Sequence, residues 1–266
     1  MTLAQIREIL RQARDAGTIE SIYFEGGEPF LYYAILVKGV QEAVKAGFSA
    51  GIVTNAYWAT SQEDALEWLR PFAGLAADLS ISNDLYHYDE RNSQHAQDAA
   101  RAAQQLGIPL GVICVAQPEE TNAMLTVGQI PSGESAVMYR GRAACKLVSR
   151  AKLQPWERFS ECPHENLREP GRCHLDPLGN LHICQGITLG NIFETPLKEI
   201  CAAYDVDAHP ICGLLLTGGP VALVQEYNLP HEENYADACH LCFEARRELR
   251  ARFPEILKPD QMYGEG

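Results

Sequence analysis

Tyr23-Phe24-Glu25-Gly26-Gly27-Glu28-Pro29 is the stretch on which the reading of this chain turns. A short aromatic strand runs into two glycines, a glutamate and a proline, and a helical pattern begins near Phe30. Neither glycine has a Cβ, so a ligand can approach the backbone closely. The N–H groups of such a turn, and of the helix start behind it, can bind an anionic or polar cofactor group. Pro29 suits a first helical turn, where its missing N–H is not needed. Gly26, Gly27, Glu28 and Pro29 are therefore candidate cofactor-binding residues, with Glu28 open to a plainer reading as a helix cap.

Outward from this turn, residues 1 to about 142 alternate between two periods. Leu3, Ile6, Leu10 and Ala13 share one face of a first helix that stops at Gly17. Strand 21–25 leads to a helix over 30–46, with Ile35, Leu36, Val40 and Val44 turned inward. Strand 49–54 precedes a helix over 62–72, and strand 78–82 precedes a helix over 93–106. Strands 109–116 and 135–139 complete the series. This alternation predicts an α/β fold with a parallel sheet and right-handed crossovers. In such sheets reactive groups gather at the C-terminal ends of the strands. Those ends carry Gly26-Gly27-Glu28, Thr54-Asn55, Ser82-Asn83-Asp84 and Arg140-Gly141-Arg142. Asp84 and His87 have a plainer reading as polar loop groups, and Arg142 as one half of a sheet-end salt bridge.

Beyond residue 150 the rhythm is lost. Residues 173–184 read as a hairpin around Pro177-Leu178-Gly179-Asn180. A short helix is expected over 196–204, an apolar stripe broken by Gly-Gly-Pro over 213–229, and a last helix over 242–253 before a frayed end. The expected domains are 1–149 and a cysteine-rich 150–266.

Net charge is −13, which disfavours nucleic acid and anionic membranes as partners. No apolar run approaches the ~20 residues of a membrane span, and the N-terminus reads as an amphipathic helix rather than a signal peptide. A cytoplasmic location is the expectation. Nine cysteines, seven of them after residue 150, then need an explanation other than disulfides. Cys239-x-x-Cys242 reads as a pair of metal ligands, while Cys114 sits in an apolar strand as a packed thiol. A mixed zinc site is open as well, from Cys162-Pro163-His164, His182-x-Cys184 and Cys239-His240-x-Cys242.

Gly26-Gly27-Glu28-Pro29 after a strand resembles the motif by which radical S-adenosylmethionine (SAM) enzymes hold the methionyl amino group of SAM. Thr54-Asn55, Ser80-Ile81-Ser82-Asn83-Asp84 with His87, and Arg140-Gly141-Arg142-Ala143 follow in the order of that family's strand ends. The second half resembles the SPASM/twitch extensions of the same enzymes, through Gly179-x4-Cys184, Gly190-Asn191-Ile192 and Cys239-His240-Leu241-Cys242.

The resemblance implies a partial parallel (β/α) barrel lacking its first strand, plus a small cysteine-rich extension. It implies that Gly26, Gly27, Glu28 and Pro29 hold SAM, with Asn55, Ser82, Asp84 and Arg142 toward SAM or substrate. It implies an auxiliary [4Fe–4S] cluster on Cys162, Cys184, Cys239 and Cys242, with Cys173 as an alternative upstream ligand. The chemistry implied is a 5′-deoxyadenosyl radical that modifies a peptide or small metabolite, fed by an electron-donor protein.

No Cys-x3-Cys-x2-Cys triplet for the radical [4Fe–4S] cluster occurs among the 266 residues. An N-terminally shortened enzyme is the expectation, because strand 22–24 would otherwise form an exposed apolar sheet edge. A radical-SAM-like binding or partner protein with a structural iron–sulfur or zinc site is the alternative.

Overall fold

The computed structural model describes residues 1–89, 93–120 and 134–264. They form two compact units, Met1–Val115 and Ala116–Gly266. The division falls ahead of the 149/150 boundary expected from the sequence pattern. Residues 134–149 belong with the later chain, as three contacts illustrate. The Tyr139 N–H donates to Asp237, and the Arg140 side chain donates to Glu165 and Cys184.

The first unit is mixed α/β. Helix α1 (Leu3–Ala16) opens with a capping box: the Gln5 N–H donates to the Thr2 hydroxyl and the Thr2 N–H to the Gln5 side chain. Four strands follow, β1 (Ser21–Phe24), β2 (Ser49–Thr54), β3 (Ala76–Ser82) and β4 (Leu110–Ile113). They pair in parallel in sequence order. The crossovers are α2 (Tyr33–Lys45), α3 (Gln62–Leu69) and α4 (Gln94–Gln105). Ile6, Leu10, Leu36 and Val40 from the helices, and Ile52, Leu79 and Ile81 from the strands, are buried. The helix expected over 30–46 begins instead as a 3-10 turn, Pro29–Tyr32, before α2. Its Phe30 ring stacks on Trp58 at 4.2 Å, inside an aromatic group with Tyr33, Trp68 and Phe72. Burying these rings pins the start of the crossover beneath the glycine turn.

Residues 135–139 do not form the expected strand. Only Ser135 makes an isolated bridge, its carbonyl accepting from the Ala116 N–H, while the Tyr139 N–H goes to the Asp237 carboxylate and the Arg140 N–H bonds back to Met138. A strand needs a continued ladder, and beyond Ser135 the Tyr139 and Arg140 N–H groups are used elsewhere.

The second unit is built from short pieces. Helix α5 (Arg142–Lys146) precedes the two-residue strand β5 (Gln154–Pro155). A three-stranded antiparallel sheet follows, of β6 (His174–Leu175), β7 (Asn180–Cys184) and β8 (Ile187–Asn191). The hairpin expected over 173–184 is thus extended by a third strand. Helices α6 (Leu197–Ala203) and α7 (Cys212–Tyr227), strand β9 (Asn234–Tyr235) paired with β5, and helix α8 (Ala238–Leu249) complete it. The last helix begins earlier than expected because Asp237 caps it, accepting from the His240 N–H at 2.7 Å. The segment after it is packed rather than frayed: Tyr263 is buried and stacks on Phe243. Residues 265 and 266 lie outside the described residues.

Helix α7 is broken at Gly218 and Gly219, the latter at φ +61°. A Cβ at Gly219 would lie 2.3 Å from the Glu161 nitrogen and 2.4 Å from the Ser160 carbonyl carbon. The chain leading to Cys162 therefore crosses the helix at its break, and the Val221 N–H donates to the Phe159 carbonyl there.

Candidate metal centre

The cysteines expected as ligands come from three parts of the second unit. Cys162 lies in the loop that crosses α7, Cys184 ends β7, and Cys239 and Cys242 sit in the first turn of α8. Spacing of three residues puts the last two on one helix face. All four line a single cavity, together with Arg140, His164, Glu165 and Arg246. None is oxidised to a disulfide.

Burial shapes the acidity of these thiols. It pushes Cys162 and Cys239 up, and Cys242 up to about 11, and the neighbouring thiols push the same way. Without a metal the site therefore holds these three thiols protonated. A metal must displace those protons as it binds.

Two guanidinium groups face the thiols. Arg246, four residues after Cys242 and so on the same helix face, is 2% exposed. It donates to the carbonyls of Cys242 (3.2 Å) and Gln185 (2.7 Å) and to the Tyr263 hydroxyl (3.3 Å). No carboxylate lies within ion-pair distance of it among the described residues. Arg140 Nη1 donates to Cys184 Sγ at 3.2 Å and to Glu165 Oε1 at 3.3 Å. Two buried cations thus face the thiols, with the Glu165 and Asp237 carboxylates close by. A centre held by four thiolates would set negative charge beside both guanidinium groups, and four cysteines are the usual donor set for a [4Fe–4S] cluster.

A mixed donor set overlaps this one. Ligand atoms of His164, Asp237 and Cys239 lie within 4.8 Å of one another. Burial lowers the His164 pKa, so its imidazole is neutral and competent as a ligand. Asp237, however, is occupied: its two oxygens accept from the His240 and Tyr139 N–H groups at 2.7 and 3.2 Å. Using it as a ligand would weaken the α8 cap, whereas the four-thiol set leaves the cap intact. Of the three histidines in the sequence-derived zinc alternative, only His164 lines the cavity. His182 Nε2 is bonded to Asp176, and His240 Nδ1 accepts from the Ala236 N–H. Cys173, the alternative upstream ligand, does not line the cavity either; it is exposed on the chain's surface.

The first unit gathers most of the expected cofactor residues at the C-terminal edge of its sheet. Gly26 and Gly27 adopt φ of +84° and +54°, and nothing lies within 4 Å of where a Cβ would be. They form an open turn that glycine alone adopts without strain. Glu28 faces inward instead. Its carboxylate accepts from the Phe30 N–H (3.0 Å), the Thr54 hydroxyl (2.9 Å) and the Asn55 N–H (2.8 Å). It ties the glycine turn to the end of β2 and caps the 3-10 turn that Pro29 opens. Tyr88 donates its hydroxyl to the Asn55 carbonyl, joining the loop after β3 to the same edge. Ser82 is buried at the end of β3. Asp84 is buried and accepts from the Tyr86 and Val115 N–H groups and from His87 Nδ1, the last at 2.8 Å. That carboxylate bond raises the His87 pKa against the opposing effect of burial. Arg142 belongs to the second unit, exposed at the start of α5.

Sequence reasoning missed Glu165 and Arg246, and it placed Arg140 only within a strand-end segment. Arg246 had a readable signal, its i+4 spacing from Cys242 in a helix. The roles of Arg140 and Glu165 had none, because their partners are 44 and 25 residues away. The chain matches no protein-family model, and no curated protein is significantly similar to it.

Proposed function

We propose that this is a radical-SAM-type protein whose second unit carries an auxiliary [4Fe–4S] cluster on Cys162, Cys184, Cys239 and Cys242. The observation that carries the reading is the convergence of these four separated cysteines on one cavity, beside two buried guanidinium groups. Four cysteine ligands leave no iron open to substrate, so the cluster's role is electron transfer or support of the fold. The buried guanidinium groups balance its charge, and the surrounding side chains exclude water.

The parallel sheet of the first unit serves, in this reading, as part of a (β/α) barrel. Gly26 and Gly27 hold the methionyl end of SAM through their backbone. Neither N–H has a hydrogen-bond partner among the described residues, and the turn has open space before it. Glu28 fixes the turn's shape from behind, and Asn55 flanks it. Bound beside a reduced site-differentiated cluster, SAM supplies a 5′-deoxyadenosyl radical for hydrogen abstraction from an unactivated carbon. The Cys-x3-Cys-x2-Cys triplet that holds such a cluster is absent from these residues. Catalysis therefore belongs to a form that carries one, acting on a peptide or small metabolite with an electron-donor protein in the cytoplasm. Without a triplet, the chain is a SAM-type binding or partner protein with the same auxiliary centre.

Anaerobic reconstitution with iron and sulfide tests the central claim. The expected result is about four irons and matching sulfide per chain. A chain that takes up zinc but no sulfide overturns it. No 5′-deoxyadenosine above a no-enzyme control, in a form carrying the triplet, overturns the catalytic part.

A further inference from the structure

We infer that Arg140 and Glu165 form an opposed pair that sets the reduction potential of the centre in the cysteine cavity. The inference rests on the four-cysteine [4Fe–4S] reading. Arg140 Nη1 is shared between Cys184 Sγ at 3.2 Å and Glu165 Oε1 at 3.3 Å. Both side chains are largely buried, at 13% and 7% exposed, so solvent screens them little. A cluster gains one negative charge on reduction. A cation donating a hydrogen bond to a ligand sulfur stabilises that added charge and raises the potential. Glu165 draws on the same guanidinium and carries the opposite charge, so it lowers the potential.

The geometry separates this pair from the other cation in the cavity. Arg246 is held by two backbone carbonyls and a tyrosine hydroxyl, with no carboxylate to offset it among the described residues. It is a fixed background charge. Glu165, in contrast, reaches out of the cavity to Arg172 at 3.8 Å, whose side chain is 62% exposed. The balance at Cys184 is thus linked to a surface residue through one carboxylate. A group of opposite charge near Arg172 would alter how strongly Glu165 opposes Arg140. Arg140 and Glu165 are positioning residues: neither is a ligand, and each acts on the cluster through Cys184.

The test is a midpoint titration of the reconstituted full chain, followed by electron paramagnetic resonance of the reduced cluster. Wild type is compared with R140Q, R140K and E165Q, each with iron and sulfide counted beforehand. R140Q is expected to shift the midpoint negative, R140K negative by less, and E165Q positive. Opposite signs at two touching residues are not what general loosening of the cavity would produce. Clusters that load fully in R140K and E165Q yet keep the wild-type midpoint overturn this inference alone. Shifts of the same sign in R140Q and E165Q overturn it too. A wild-type chain that takes up no iron and sulfide removes the four-cysteine reading itself, and this inference with it.

Discussion

The two units solve the same problem by different means. The first pairs four parallel strands joined by helical crossovers around a mainly aliphatic and aromatic core, with carboxylates such as Glu28 and Asp84 buried at the strand ends. The second has strands of two to five residues, and its cavity is faced by thiols and guanidinium groups. One unit is held by packing that needs no ligand. The other has a buried apolar cluster too, and beside it sets two buried guanidinium groups against four thiols. Their functional groups differ accordingly: an open backbone turn at the rim of the first, a closed set of side chains inside the second.

The largest expected effect tests whether the second unit depends on its centre. Cys184→Ser should abolish loading of the four-iron cluster and lower hydrogen-exchange protection through β7 and α8. Protection in β2 and β3 should stay as in wild type. Equal loss of protection in both units would erase the contrast.

Leu79→Ala probes the opposite side. Leu79 is 1% exposed, and truncating such a side chain costs about 2–5 kcal/mol. Denaturant unfolding of the first unit should fall by that amount while iron stoichiometry is unchanged. A variant that also loses iron would mean the units are energetically one.

Glu28→Gln sharpens the picture at the rim. A glutamine amide would point N–H groups at the donors of Phe30, Thr54 or Asn55, leaving one of them unsatisfied. The expected cost is about 1–3 kcal/mol, read as a lower unfolding midpoint of the first unit. A neutral result would show that the carboxylate does not tie the turn to β2.

The smallest effect concerns pH. His87 has its pKa raised above the ordinary 6.5 by the Asp84 carboxylate. Its contribution to stability is therefore full below 6.5 and lost as pH rises through the folded-state value. The pair is partly exposed, so the change should stay under about 1 kcal/mol. His87→Gln should flatten this slope in denaturant midpoints measured across neutral pH. An unchanged slope would assign it to other groups.

The legible part of the chain follows this same division. Helices and strands of the first unit show themselves through periods that each residue reports locally, as in Ile6–Leu10–Ala13 or the run of β2. The 3-10 start at Pro29 escapes such reading because stacking of Phe30 on Trp58, 28 residues on, decides it. Strand β8 escapes it because Ile187–Asn191 is read only against its partner β7. The barrel expectation reaches only as far as a four-stranded parallel sheet among the described residues. In the second unit the spacing of Cys239 and Cys242 by itself points to ligands. The charges around them are silent, because a guanidinium beside a thiol leaves no trace in local sequence. Glu28 shows a further limit: its place in a glycine turn is readable, its inward direction is not.

Gly219 carries a consequence of a different kind. Its Cβ position is filled by the backbone of residues 160 and 161, which lead into Cys162. Any side chain there must push that segment away, and Cys162 with it. A substitution on α7, touching no sulfur, would thus act on the proposed four-cysteine centre from a distance, through the backbone that carries Cys162.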